Sequence, residues 1–189
     1  MTAPRIEHHG PRRLAGLGHF GDPMEEGTGW TEENAIGRLW ERLSSWLSAP
    51  GGPYPWPTVF FEVHVETVGT PLRGEFEVFV GFEVGDDQQL PVDLSMKVLP
   101  EGDYAVFTLR GEQIRSDEPI LDSWLAGAPF EKDSCFMAQR YDERFLGLER
   151  LAESELDFLV PVRPTVPGPS PARSRSEVPG AGPSARRST

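Results

Sequence analysis

Alternation of hydrophobic and polar residues predicts that much of the chain is β-strand. The clearest run is Glu75–Val84 (EFEVFVGFEV), in which every second residue is apolar and would face a core. Val59–Glu66 (VFFEVHVE) alternates in the same way and places Glu62 and His64 on the face opposite Val63. Shorter runs predict further strands at Leu14–Phe20, Leu94–Leu99, Tyr104–Arg110, Phe136–Phe145 and Leu156–Val162.

Two segments carry helical periodicity instead. Thr31–Leu47 begins with a capping threonine, and Glu32 and Glu33 follow in the first turn, where the helix dipole favours acids. A shorter helix is predicted over Ile120–Leu125, opened by Pro119. In the longer helix the apolar residues recur every three or four positions and predict one buried face, formed by Ile36, Leu39, Trp40, Leu43, Trp46 and Leu47.

The predicted elements follow the order strand, helix, strand, strand twice, and short sequence matches support this repeat. SSWLSAPG matches DSWLAGAP, which aligns Trp46 with Trp124, and GEFEVFVGF matches SELDFLVPV. The sequence therefore predicts an α+β fold, a tandem pseudo-twofold βαββ repeat with halves at about 5–88 and 92–163. We expect antiparallel sheets with helices on one face and a ligand cleft between the halves, lined by the opposite face.

The end of the chain differs in composition from the rest. Residues 164–189 hold six Pro, three Gly and five Ser, with Val166 and Val178 as the larger aliphatic residues. Such a segment buries too little apolar surface to offset its ordering entropy. We therefore expect residues 1–163 to form the folded domain and 164–189 to be a disordered tail.

Charge narrows the classes of partner. The tail carries +3, from four Arg and one Glu, and the remainder −15, which together give the net −12 of the chain. A nucleic-acid-binding surface needs clustered Lys and Arg, so direct DNA binding is not expected; an acidic domain favours cationic or neutral ligands. The sequence shows no apolar signal segment and no run of membrane-spanning length, so we expect a cytoplasmic protein with no membrane partner.

Cysteine and histidine usage predicts neither a disulfide nor a metal or cofactor site. The single Cys135 cannot form an intramolecular disulfide, and the four histidines have no metal-ligand spacing with it. His8 and His9 are interpreted as a flexible N-terminal pair. His64, near Glu62, has the chemistry of a proton shuttle, although a surface histidine is the simpler interpretation.

Four segments together resemble a known family. LPEGDYAVFTLRG, a helix ending in SWL, then RYDERF and SELDFLVPV, in this order, resemble the GyrI-like small-molecule-binding domain. This domain is also the effector-binding part of AraC-type and MerR-type transcription regulators. The resemblance covers roughly Arg5–Arg163 and implies the tandem βαββ fold with a ligand cleft where the halves meet. Because the first strand begins within the first twenty residues, we expect a stand-alone member without a helix-turn-helix.

The resemblance implies several functions. Stand-alone members sequester or sense drug-like molecules, modulate a protein partner such as gyrase, or hydrolyse cyclopropane-bearing DNA alkylators. We expect an aromatic, largely apolar or cationic ligand and a role in resistance or self-protection. Hydrolytic ring-opening assisted by a glutamate is the enzymatic alternative, and sequestration, co-regulation or binding to a protein partner are the non-enzymatic ones.

The resemblance places Glu143, in RYDERF, at the acidic position of the family's ligand cleft. Tyr141 and Phe145 alternate with it and would share its face of the strand. A carboxylate among aromatic rings is poorly solvated, so it would act as a general base towards water or pair with a cationic ligand. The alternative is an exposed strand carboxylate paired with Arg140 or Arg144.

Five further side chains are candidate ligand contacts. Trp124, on the second helix, is the expected aromatic partner of Glu143. Trp56, in the loop PYPWP, is expected to form a wall of the pocket. Tyr104 is a further candidate for the lining. Glu155, on the last strand, would either edge the cleft or lie on a solvated strand face, and Glu62 is its counterpart in the first half.

Overall fold

The computed structural model describes residues 3–23, 33–50 and 54–165. In these ranges the chain forms an antiparallel β-sheet with a few helices, an α+β fold. The predicted tail lies outside the described residues from position 166 onward. The strands are β1 (Arg5–His9), β2 (Arg12–Gly21), β3 (Phe60–Val65), β4 (Phe76–Glu83), β5 (Ser95–Leu99), β6 (Gly102–Arg110), β7 (Phe130–Lys132), β8 (Phe136–Tyr141) and β9 (Glu155–Pro164). The α-helices are α1 (Ala35–Leu47), α2 (Thr70–Arg73) and α3 (Asp117–Leu125), and 3₁₀ turns span Gly111–Arg115 and Leu148–Glu153.

The strand order of the sheet divides it at one central pairing. The order is β1-β6-β9-β8-β3-β4-β2-β5, with the short β7 paired to β9. The strands β6-β9-β8 and β3-β4-β2 meet where β3 pairs with β8, and there Glu62 lies directly opposite Gln139. Helix α1 connects β2 to β3, and α3 connects β6 to β8 by way of β7. The two pairs of segments that match in sequence fall at the ends of α1 and α3 and on β4 and β9.

Most predicted elements are present, and the differences have local causes. Strands β1 and β7 were not predicted; β1 pairs with β6, and His8 Nδ1 lies 2.8 Å from a carboxylate oxygen of Asp103. The flexible pair expected at His8 and His9 is therefore part of the sheet. Helix α1 is capped by Asn34, whose side chain accepts from the backbone N–H of Gly37, whereas the cap predicted at position 31 lies outside the described residues.

Both longer helices pack on the same face of the sheet, which we call the helix face. The apolar stripe of α1 buries Leu39, Leu43 and Leu47 against Val80 and Phe82 of β4. The second cluster on this face forms where α3 packs on β6 and β9, and it contains Ile120, Leu121, Phe107, Phe158 and Val160. Burying large apolar side chains contributes roughly 1.5–3 kcal/mol each, so these contacts fix the two helices over the outer strands.

The other face of the sheet, which we call the inner face, is filled by its own apolar cluster. Phe61, Phe79 and Leu159 are at most 2% exposed, and the sheet curls around them. Gly16 and Gly81 face each other across β2 and β4, and a Cβ on Gly16 would collide with the backbone carbonyl of Val80. The expectation that this face lines a ligand groove is therefore wrong, because the curled sheet closes it.

A charged network lies beside the apolar cluster of the inner face. Arg144 donates to both oxygens of Asp142 and to Asp157, the last at 2.7 Å, and Arg140 lies 2.7 Å from Asp142. Hydrogen bonds from Arg144 hold the pKa of the Asp142 carboxyl at about 2, below its usual range. Arg5 adds a further contact with Asp157, at 3.8 Å. Both carboxylates are neutralised by arginines, and the ion pairs connect the end of β8 to β9.

Candidate functional site

A cavity of about 1090 Å³ opens on the helix face, between α1 and α3. Because the two helices cover the outer strands, the central strands β3 and β8 are left as its floor. Its walls come from α1, the loop before β3, the start of α3 and the turn after β8. The cavity is therefore built from both sequence halves, on the face opposite to the one predicted.

A buried carboxylate lies on the floor of this cavity. Glu62 is 3% exposed, and its two oxygens are held by side chains of different kinds. The indole N–H of Trp40 on α1 donates to Oε2 at 2.6 Å, and Nε2 of His64 lies 2.8 Å from Oε1. A buried carboxylate without such donors would be costly, so these contacts keep Glu62 in place with its charge beside the cavity.

A second set of polar side chains continues across the floor from Glu62. The hydroxyl of Tyr141 donates to Oε1 of Gln139 at 2.5 Å, and Nε2 of Gln139 donates to Asp117 at 2.7 Å. Burial raises the pKa of Tyr141 well above its ordinary value, with the charges of Glu62 and Asp117 adding to the effect, so the phenol stays neutral. The chain of bonds fixes the side chains of Tyr141 and Gln139 beside the carboxylate.

His64 has a pKa above its ordinary value because of its carboxylate neighbours. Burial is the largest single effect and lowers the pKa of the imidazole, but the hydrogen bond and charge of Glu62, together with more distant acidic groups, raise it by more in sum. Asp117 and Glu118 at the start of α3 act in the same direction. Below its raised pKa His64 therefore carries a positive charge that compensates Glu62.

Aromatic rings form the walls around Glu62. Trp40 meets Tyr141 edge-on with ring centroids 5.3 Å apart, and Tyr141 meets Phe145 at 4.9 Å. Trp56 lies 6.1 Å from Phe60 and is 56% exposed, so its ring stands at the mouth of the cavity. The rings provide faces on which a flat or aromatic molecule can stack.

The charge on the cavity lining is predominantly negative. Besides Glu62, the carboxylates of Glu41, Asp117, Glu118 and Glu143 line it, together with Asp142, which is paired with arginines. Arg115 contributes a cation, which is exposed and lies 3.4 Å from Glu112. A cavity with aromatic walls and surplus carboxylates attracts cationic aromatic molecules.

The sequence profile of the GyrI-like small molecule binding domain matches residues 2–143, three quarters of the chain. The chain belongs to this family. Among curated proteins, none matches this GyrI-like chain.

Solved structures share the fold of this GyrI-like protein at low sequence identity. SAV2435 bound to tetraphenylphosphonium aligns with a TM-score of 0.58 and 12% identity, over 86% of this chain and 94% of that chain. The C-terminal domain of EcmrR aligns with a TM-score of 0.59 and 10% identity, over 85% and 96%. The integron cassette protein VCH_CASS2 of Vibrio cholerae aligns with a TM-score of 0.55 and 16% identity, over 85% and 96%.

Five of the predicted site residues line the cavity of this GyrI-like protein: Glu62, Trp56, Tyr141, Glu143 and Phe145. Strand β8 ends at Tyr141, so Glu143 lies in the turn that follows rather than in the strand that was predicted. Glu143 is exposed at the edge of the cavity, whereas Glu62 is buried on its floor. The central carboxylate of the structure is thus Glu62, which the sequence predicts only as the first-half counterpart of Glu155.

Three predicted site residues lie elsewhere. Trp124 stacks against Phe130 at 5.9 Å and packs in the core under α3. Tyr104 is on the inner face, where its hydroxyl donates to the carbonyl of Pro100 at 2.7 Å and burial raises its pKa to about 12. Glu155 pairs with Arg110 at 3.1 Å. The structure does not bring these three side chains to the cavity.

Three contributors to the site were not singled out from sequence. Trp40 fits the apolar face of its helix, and that pattern alone gives no sign that its N–H turns towards a strand carboxylate. Gln139 does alternate with Tyr141, which was a usable signal. Asp117 opens α3 three residues before Ile120, where the helix was predicted to start, so its position depended on the true helix boundary.

In the part of the chain that the structure describes, no group of three His, Cys, Asp or Glu side chains is arranged to hold a metal ion. Nor is any described helix long and apolar enough to cross a membrane.

Proposed function

We propose that this protein binds a cationic, aromatic small molecule in the cavity between α1 and α3. The observation that carries the proposal is Glu62, a buried carboxylate surrounded by aromatic rings on the floor of a cavity of about 1090 Å³. Its orientation is fixed before any ligand arrives, by Trp40 at 2.6 Å and His64 at 2.8 Å. A pre-positioned charge loses little freedom on binding, which favours affinity.

Electrostatics and stacking favour the same class of ligand. A carboxylate near low-dielectric walls interacts more strongly with a cation than an exposed one does. The faces of Trp40, Tyr141 and Phe60 offer cation–π contacts, each contributing about 0.5–2 kcal/mol. A neutral aromatic ligand would gain the stacking alone, and an anion would meet the carboxylates of the lining.

The fold of SAV2435, solved with tetraphenylphosphonium, guides the choice of probe. That compound is an aromatic cation, and its binding there is a property of SAV2435. For this chain the same compound serves as a test molecule, and its natural ligand is left to experiment.

The topology supports a two-unit interpretation of the site. We interpret β2-α1-β3-β4 and β6-α3-β8-β9 as two βαββ units related by an approximate twofold axis, with the ligand held where β3 pairs with β8. Protection of the cell by sequestering a toxic compound is the role that this arrangement fits best.

Binding of tetraphenylphosphonium to the full chain, measured by titration calorimetry, tests the proposal. We expect saturable binding at one site, with affinity reduced at least tenfold in Glu62→Gln, because the amide keeps the shape and removes the charge. The matched control is Glu155→Gln, which removes a carboxylate that is paired with Arg110 outside the cavity. Glu155→Gln should bind as the unchanged protein does.

Two results would count against cation binding at Glu62. Absence of saturable binding by the unchanged protein would reject the ligand class. Equal losses in the two variants would indicate a general surface-charge effect instead of a site at Glu62. Thermal unfolding of each variant establishes that it is folded.

Hydrolytic ring-opening of a cyclopropane is a second candidate, favoured by the paired Glu62 and His64 on the cavity floor. A carboxylate that orients an imidazole at 2.8 Å resembles the base arrangement that activates water in many hydrolases. In the reaction, water would add to a ring carbon, the strained C–C bond would break, and the departing carbon would take up a proton. Glu143, at the cavity edge, is the acid or base expected from sequence.

Product analysis separates binding from hydrolysis. The protein is incubated with a cyclopropane-bearing alkylator, and the hydrated product is followed by mass. More than one equivalent of product, lost in Glu143→Gln or Glu62→Gln, supports catalysis. Capture of one equivalent without product rejects it and leaves the binding function standing.

A further inference from the structure

The pairing of His64 with Glu62 gives the cavity a cation of its own. Nε2 of His64 lies 2.8 Å from Oε1 of Glu62, and both side chains line the cavity. A bound cationic ligand would therefore share its counter-charge with the imidazole whenever His64 is protonated. Two cations near one carboxylate repel each other, so one of them is disfavoured.

We propose that His64 is an internal counter-cation of Glu62, and that a cationic ligand binds with release of the His64 proton. This inference rests on the proposed function and adds the residue that decides which charge the cavity accepts. With His64 protonated, the pair is neutral and accommodates an uncharged aromatic molecule. With His64 neutral, Glu62 contributes a full negative charge to a cation.

The groups around His64 support proton exchange at this residue. Acidic groups act on it from two elements, Glu62 on its own strand and Asp117 and Glu118 at the start of α3, and Glu41 on α1 lines the same cavity. Tyr141 on β8 is neutral, and Phe76 on β4 contributes its ring, 5.3 Å from that of His64. Arg115 stands at the lining next to Glu112. These acidic neighbours favour the protonated imidazole in the free protein. A cation bound nearby favours the neutral imidazole.

The sign of the linkage follows from the two states. In the free protein the pKa of His64 is above its ordinary value of 6.5. A nearby bound cation lowers that pKa, so the complex holds fewer protons than the free protein. Affinity for the cation must therefore rise with pH between the two pKa values and level off above the higher one.

Calorimetry in two buffers counts the released protons. Tetraphenylphosphonium is titrated into the full chain at about pH 7 in phosphate and in Tris, whose ionisation enthalpies differ. We expect the apparent enthalpy to differ between the buffers in the direction of proton release, and the affinity to rise roughly tenfold from about pH 6 to pH 8.5. Triphenylphosphine oxide, an uncharged aromatic probe, should release no proton.

His64→Gln provides the matched variant, because the amide keeps an N–H donor near Glu62 without a titrating charge. It should bind the cation with no buffer dependence, and more tightly than the unchanged protein at about pH 6. Proton release that persists in His64→Gln, or tight binding with no proton release in the unchanged protein, would overturn the inference while leaving the proposed function intact. Failure of the unchanged protein to bind tetraphenylphosphonium at any pH would reject both. Thermal unfolding confirms that the variant is folded.

Discussion

The sheet buries carboxylates on both faces, and their partners differ. On the inner face, Asp142 and Asp157 are bound by Arg140 and Arg144, which carry permanent charges. On the helix face, Glu62 is bound by an indole N–H, which carries no charge, and by an imidazole, whose charge depends on pH. The aspartates are side-chain exposed by 6% and 9%, close to the 4% of Glu62, so burial does not distinguish the two places.

The kind of partner separates a structural carboxylate from one that is available to a ligand. Arginine neutralises its partner at every accessible pH, so Asp157, and Asp142 at the edge of the cavity, present no uncompensated charge to a ligand. Trp40 satisfies a hydrogen bond and leaves the charge of Glu62 in place. The comparison predicts that variants of the first network lose stability, and that variants of the second site lose ligand affinity.

The largest effect is expected from Arg144→Ala. The change leaves Asp142 and Asp157 with Arg140 as their nearest remaining cation, and we expect unfolding free energy to fall by about 3 kcal/mol. Urea denaturation measures the loss. The control Arg150→Ala breaks an exposed pair with Glu153 and should cost less than about 0.5 kcal/mol. A loss as small as that control would place the network among ordinary surface pairs.

A paired substitution sharpens the comparison next. Glu62→Gln should weaken cation binding by about 2 kcal/mol, since the charge is removed beside the ligand. Asp157→Asn removes an equally buried carboxylate on the opposite face and should leave binding within twofold. The two are compared by calorimetry at one salt concentration. Similar losses would mean that the ligand responds to the overall charge of the domain.

Acid unfolding tests how much Asp142, in the inner-face network, contributes to the free energy of unfolding. The pKa of Asp142 is about 2 in the folded protein, below its ordinary value of 3.8. Its contribution to stability is therefore complete above the ordinary value and is lost as pH falls towards 2, by about 2 kcal/mol in total. Unfolding free energy measured from about pH 5 to pH 2 should fall less steeply in Asp142→Asn. Parallel curves for the two proteins would show that other groups govern acid unfolding.

The smallest expected effect concerns the uncharged partner of Glu62. Trp40→Phe keeps an aromatic ring and removes the donor to Oε2, so we expect cation affinity to fall about three- to fivefold, through loss of one hydrogen bond that orients the carboxylate. Trp124→Phe is the matched control, because that ring packs in the core under α3. Equal effects on affinity would argue that Trp40 acts through packing only.

Local patterns in the sequence were sufficient for the α+β class and for most of the strands and helices. Alternation over Glu75–Val84 and the apolar stripe of Thr31–Leu47 predicted β4 and α1 because both elements bury one face along their whole length. Strand β1 was missed, since RIEHH is a polar edge strand with little burial to shape its sequence. Its pairing with β6 depends on residues about a hundred positions away.

The site was harder to predict because its centre is a tertiary contact. Glu62 alternates like any strand residue on a polar face, and nothing nearby in sequence shows that α1 brings Trp40 to it. The prediction that Glu143 lies on the strand face of the cleft requires β8 to continue to Phe145. The strand ends at Tyr141. The side chain of the next residue, Asp142, accepts a hydrogen bond from the backbone N–H of Arg144, and this contact begins the turn.

The pairing of Glu62 with Gln139 at the centre of the sheet has a consequence for ligand orientation. The two side chains occupy opposed positions on strands from the two halves, about 5 Å apart at their Cα atoms, and one is a carboxylate and the other an amide. A pocket built from two similar halves would hold an elongated molecule either way round. On the floor, this difference in charge gives the pocket a direction: a molecule with one cationic end would place that end over β3 and its neutral end over β8.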